Sequence, residues 1–267
     1  MKRFLLAGVL GLTALVAQKQ PQPKSQKEVD AIKAMFEAQD PDARIKAADY
    51  LMTKFADTEF KPLAMFLTAE SYERKGDFEK MVVWCEKTLE VDPKSYSCML
   101  MLAGGIAKRA RENDLDLNEK LERSDKYAKA ALEALKDAPK PNPQITDDQW
   151  ASAKKDYVSQ AHEAFGAAAV LRKKYDVAIA EYKQAVEGAG TPDPATMVRL
   201  GQAYNTAGKP DEAIAILDKV MADTNVHPQI RQVAQAERVR AIQAKGGGAK
   251  PAPAATPGAP AAVEPKK

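Results

Sequence analysis

The stretch from Pro194 to Val220 constrains the fold more than any other part of the chain. Met197, Leu200, Gly201 and Tyr204 recur at steps of three and four residues, which places them on one face of a helix. Gly208 interrupts that helix, and Ala213, Leu217 and Val220 resume the spacing on a second one. A break this short makes the two helices antiparallel neighbours. Gly201 and Ala213 are expected where the helices come closest, with Leu200, Tyr204 and Leu217 filling the space around them. The arrangement recurs. Thirty-five positions before Ala213, Leu217 and Val220 stand Ala178, Tyr182 and Ala185, and thirty-five before Leu200-Gly201 stand Phe165-Gly166.

Helical hairpins repeated at this interval resemble tetratricopeptide repeats, in which the first helix carries Trp, Leu-Gly and Tyr and the second Ala, an aromatic and a closing Pro over about 34 residues. Met197 takes the Trp slot here and Leu217 the second aromatic slot, and Tyr72, Gly76, Phe78, Leu89 and Pro93 reproduce the tyrosine, turn and proline slots upstream. The resemblance implies an all-α solenoid of antiparallel helix pairs closed by a C-terminal capping helix. Repeats are expected near 28–61, 62–95, 96–137 with an insertion, 147–193 and 194–227, within a solenoid spanning 27–245. The first of them is degenerate, as terminal repeats often are. The link Phe55-Ala56-Asp57-Thr58-Glu59-Phe60 further resembles the connector of bacterial envelope proteins of this family, which implies an outer-membrane or cell-division assembly role as an alternative function.

Met1-Lys2-Arg3 is a short basic start, and Phe4 to Ala17 is apolar but shorter than the roughly 20 residues a membrane span needs. A polar, proline-bearing run follows at once, so residues 1–17 are read as a secretory signal and 18–26 as a linker, making the protein exported, periplasmic or secreted. No transmembrane span is expected once the signal is gone. Loss of Lys2 and Arg3 takes the formal charge from +3 to +1, and Lys and Glu interleave throughout, which argues against a nucleic-acid partner.

Cys98-Met99-Leu100-Met101-Leu102-Ala103 makes one helix apolar on every side, so it must be covered twice over. In a solenoid of the resembled kind the first helix of each pair lines the concave groove, which assigns Leu63, Phe66, Leu67, Glu70, Leu100, Met101 and Gly104 to a peptide-binding surface, with Arg199, Gln202 and Asn205 as its polar C-terminal end. The competing reading has the inserted segment near residues 111–143 covering the apolar part, with Trp150 packed back upon it. The Lys and Asn clamp by which one subclass of the family holds chaperone C-termini has no counterpart, since its places hold Phe66 and Glu70, Leu100 and Gly104, Glu163 and Ala167, and Val198 and Gln202. The capping helix at 229–245 is expected to turn Ile230, Val233, Ala234, Val239 and Ile242 inward, and the Gly/Ala/Pro/Lys tail at 246–267 to be disordered.

No chemistry-bearing constellation stands out. His162-Glu163 lacks a second histidine one turn on, no Gly-rich phosphate loop or Gly-x-Ser-x-Gly elbow is present, and two Cys with two His do not make an ordinary zinc site. No catalytic residue, cofactor or metal is assigned, and His162 is read as a packing residue. Cys85 and Cys98 fall on adjacent helices, where either a disulfide or two buried thiols would fit. The chain reads as a non-enzymatic scaffold for a protein or peptide; the less favoured alternative is a small-molecule binder or enzyme with its site around the insertion, in a pocket beside Trp150.

Overall fold

The computed structural model of the chain describes residues 21–142 and 144–246. The expected leader at 1–17, residues 18–20 of the linker and residues 247–267 of the tail lie outside the described residues. Within them the chain forms α1 (Gln26–Glu37), α2 (Pro41–Lys54), α3 (Lys61–Arg74), α4 (Phe78–Val91), α5 (Tyr96–Arg109), α6 (Leu117–Lys136), α7 (Asp147–Leu171), α8 (Tyr175–Gly188), α9 (Pro194–Thr206), α10 (Pro210–Ala222) and α11 (Pro228–Lys245). No described residue is in a strand, and no helix among them is long and apolar enough to cross a membrane.

Local chemistry sets the ends of these helices. Ser25, Asp40, Asp77, Thr146 and Asp193 each accept a backbone N–H in the first turn, and Pro occupies the first turn of α2, α3, α9, α10 and α11, where no intrahelical partner for its nitrogen is needed. Thr146 and Gln149 form a reciprocal capping box that starts the 25-residue α7. Gly76 and Gly208 close α3 and α9 in the left-handed region, at φ 74° and 72°, where a side chain would be strained.

Consecutive helices pack pairwise, and the first helices of neighbouring pairs also meet, as α3 with α5, α5 with α7 and α9 with α11. Second helices form no comparable packing with one another. The first helices therefore line the inner, concave side and the second helices the outer one. At the close approaches the side chain is missing for a steric reason. A Cβ on Gly201 would lie 2.8 Å from Leu217 Cγ, and one on Gly166 would lie 2.7 Å from the Tyr182 ring. Gly105 plays the same part between α5 and α4, its would-be Cβ 2.8 Å from Phe78. Burial pushes the Tyr182 phenol upward from its ordinary pKa, so the ring packed on Gly166 stays neutral.

The all-round apolar helix is covered by the protein itself. Met99, Leu100 and Ala103 of α5 pack among Ala128, Ala131, Ala161 and Ala164 of α6 and α7, while Cys98, Leu102 and Ile106 pack with Met81 and Cys85 of α4. The buried stripe of α6 runs Leu121, Ser124, Ala128, Ala131 and Leu135, and Ser124 donates to the Ala103 carbonyl at 2.9 Å. Trp150 does pack on the inserted segment: its Nε1 donates to the Ala138 carbonyl at 3.3 Å, and its ring joins Tyr96 and Tyr157. Burial, with the Tyr157 phenol nearby, pushes the Tyr96 pKa up to about 12.

One feature departs from the sequence reading. In α11 the residues turned inward are Ala234, Glu237 and Ala241, while Val233, Val239 and Ile242 face solvent. Small residues let α11 approach α9 closely, and that steric demand overrides hydrophobicity in choosing the face. Of the two arrangements left open for Cys85 and Cys98, the structure has the pair of buried free thiols. The hydrogen bond with Cys98, together with burial, holds the Cys85 thiol above its ordinary pKa.

If the glycines act by close approach, two helix-interior substitutions must have opposite signs. Gly201→Ala forces Leu217 aside and is expected to destabilise by about 1–3 kcal/mol, as overpacking does. Gly104→Ala, where an added Cβ meets nothing within 4 Å, is expected to stabilise by about 0.5–1 kcal/mol through helix propensity. Urea denaturation of both variants against the parent checks the pair.

Candidate binding surface on the concave side

The concave side begins with α3. Leu63 and Phe66 are half-buried against the cluster that α1 and α2 build around Met35 and Leu51, and Leu67 is taken into that cluster. Glu70 accepts from Arg44 at 3.3 Å, which ties α3 to α2. On α5, Met101 is half-buried and Gly104 is open, while Leu100 is only 5% exposed and belongs to the interhelical core. Of the apolar residues assigned to the groove, Leu63, Phe66 and Met101 thus keep some exposed surface. Leu67 and Leu100 do not, because they fall one step toward the neighbouring helix and are consumed by stacking.

Beyond Gly104 the surface becomes charged. Glu163 of α7 sits between Lys108 of α5, at 3.5 Å, and Arg199 of α9, to which it is hydrogen-bonded. One carboxylate thus crosses three successive inner helices. The remaining polar residues of the expected groove turn to the capping helix. Asn205 Nδ2 donates to the Glu237 carboxylate at 2.9 Å and to the Glu237 carbonyl at 3.0 Å, Gln202 donates to the same carboxylate at 3.4 Å, and Arg240 adds an ion pair at 3.6 Å. Glu237 is 7% exposed, so this carboxylate is held inside and its three contacts replace water. Gln202 and Asn205 therefore fasten the C-terminal end instead of facing a ligand. Lys108, Glu163 and Arg199 carry the polar part of the surface; of these the sequence reading assigned only Arg199 to the groove.

His162 bridges α7 and α8 through a 2.7 Å contact of Nδ1 with Glu181 and lies edge-on to Phe165. Two recesses occur elsewhere: a notch of about 640 Å³ between the α7–α8 and α9–α10 turns, and a cleft of about 470 Å³ lined by Leu132, Phe165, Arg172 and Val177. Neither adjoins Trp150. Among the described residues no three His, Cys, Asp or Glu side chains are grouped to hold a metal ion.

Residues 169–237, from the end of α7 into α11, match the family model described as Tetratricopeptide repeat. The fold is similar to the crystal structure of TTC0263, a thermophilic protein of this repeat class in Thermus thermophilus, with a TM-score of 0.56 and 17% identity over 79% of this chain and 99% of that one. Two further solved structures are an assembly chaperone of RpL4 (Acl4), residues 1–338, and a tetratricopeptide repeat protein from Parabacteroides merdae ATCC 43184. Their TM-scores are 0.46 and 0.42 and their identities 14% and 15%, with 85% and 84% of this chain and 99% and 92% of theirs covered. No curated protein matches the chain.

The Glu237 junction has a measurable signature. Glu237→Ala removes the carboxylate that Asn205, Gln202 and Arg240 share, leaving Asn205 only the backbone carbonyl of residue 237, and is expected to destabilise by about 1–3 kcal/mol. Hydrogen exchange should accelerate first in α11 and α9, with α1 to α4 unchanged.

Proposed function

We propose that the chain is an exported scaffold of the tetratricopeptide-repeat kind that holds an extended segment of another protein along the N-terminal half of its concave side. The observation that carries this reading is the half-buried set Leu63 and Phe66 on α3 and Met101 on α5, with open backbone at Gly104 of α5 and the Lys108, Glu163 and Arg199 charges on α5, α7 and α9. Apolar side chains give a bound segment area to bury, and the adjoining charges set its direction and register. The unbranched thioether of Met101 adapts to different side chains. Export rests on the basic start and short apolar run of residues 1–17, and within it an envelope-assembly role is the narrower form. A small-molecule or enzymatic role draws less support, because the recesses lie at the turn edge and between α6 and α8, away from the aromatic group at Trp150.

Gly104→Arg tests the surface with little disturbance to the fold, because nothing lies within 4 Å of the missing Cβ. Cross-linking in the native envelope fraction followed by mass spectrometry is expected to give partners that are lost about tenfold in Gly104→Arg and kept in Val83→Asp, a change on the outer helix α4. Partners kept in the first variant and lost in the second would move the site to the outer side. Fusing residues 1–17 to a reporter active only outside the cytoplasm tests export: activity is expected, and an inactive fusion contradicts it.

A further inference from the structure

The first and second helices are joined by three residues in four of the five pairs, at 38–40, 75–77, 172–174 and 207–209, but by seven between α5 and α6, at 110–116. The four extra residues add nothing to the core. They build a loop that is closed on itself by polar contacts. Asp114 accepts from the Arg111 N–H at 3.0 Å and pairs with Lys120 at 2.9 Å; its own N–H donates to the Arg111 carbonyl at 3.0 Å, and Asp116 pairs with Lys120 at 2.9 Å. At the tip stands Leu115, with 107% relative exposure, more than an extended reference chain gives it. A leucine held this far into water by a loop with its polar groups satisfied is preorganised for contact with something outside its own fold.

The same edge of the solenoid carries a matching recess. The notch of about 640 Å³ has Tyr175, Val177 and Ala207 in its lining and Lys173, Lys174 and Lys209 around it, against one acid, Asp176. Lys209 pairs with Asp176 at 2.8 Å, whereas Lys174 has no ion-pair partner among the described residues. Lys173 reaches Glu112 of the seven-residue loop at 3.7 Å, so knob and notch are neighbours. The knob is flanked by Glu112, Asp114 and Asp116, with Arg111 and Lys120 opposing them; the notch is net basic.

We propose that this edge joins two copies of the chain about a two-fold axis, with Leu115 of each copy entering the notch of the other and Asp114 and Asp116 facing its lysines. Knob and notch lie side by side on one edge, so two edges placed antiparallel satisfy both contacts at once and the assembly closes at a dimer. The contact is small, which sets the dissociation constant in the range of about ten to a hundred micromolar.

Analytical ultracentrifugation of the full chain from about 5 to 200 µM tests the proposal. The wild type is expected to pass from monomer to dimer across this range. Leu115→Asp is expected to raise the dissociation constant at least about tenfold with an unchanged melting temperature, since Leu115 packs on nothing in its own chain. Lys174→Glu should weaken the dimer as well, and Asp116→Lys combined with Lys174→Glu should recover part of the loss by exchanging the charges between copies. A wild type that stays monomeric, or a Leu115→Asp dimer as tight as the parent, overturns the proposal.

Discussion

The close approach of helices at a few positions without side chains is the constraint on which the rest of the structure depends. At Gly201 and Gly166 a neighbouring side chain occupies the space a Cβ would need, and the contact lets Leu217 and Tyr182 reach across from the second helix to the first. Once the members of a pair are this close, their outer faces are too narrow to bury all their apolar residues alone. The next pair must supply the cover, as Ala161 and Ala164 of α7 do for Leu100. Stacking is therefore a consequence of hairpin geometry, and the concave side exists because first helices of adjacent pairs meet while second helices do not.

Ion pairs at the same register reinforce the stack without driving it. Lys75 with Asp42, Lys209 with Asp176 and Lys245 with Asp211 each join the end of a first helix to the start of the preceding second helix, one repeat earlier. Exposed pairs of this kind contribute at most about 1 kcal/mol each. They favour one register over its neighbours more than they add stability. At α1 a different device operates: buried Glu28 accepts from Thr58 Oγ1 and from the Lys24 N–H, both at 2.6 Å, which ties residues 24–28 to the α2–α3 connector.

Much of this was legible in the sequence, because the repeat slots carry steric meaning. Gly166, Gly201, Ala178 and Ala213 mark helix approaches by their size alone, the two left-handed glycines mark helix ends, and the cover over α5 follows from its having no polar face. What escaped was whatever depends on partners far apart in sequence. Face assignment in α11 could not come from hydrophobicity when a buried Glu237, satisfied by Asn205 and Arg240, holds the inward position. Likewise, Leu67 and Leu100 read as groove residues until the next helix along the stack was placed. The seven-residue loop was visible as an insertion, but that beyond the buried Ala110 it stays out of the core and holds Leu115 in solvent follows only from the folded arrangement.

A solenoid held by neighbour-to-neighbour packing makes a specific statement about how stability is distributed: each pair feels its neighbours and is nearly independent of distant pairs. Native-state hydrogen exchange followed helix by helix in a Gly166→Val variant measures this directly. Protection is predicted to fall in α7, α8 and the helices touching them, α5, α6 and α9, and to stay at the parental level in α1 and α2. An equal loss of protection in all eleven described helices would show one globally cooperative core and contradict the account.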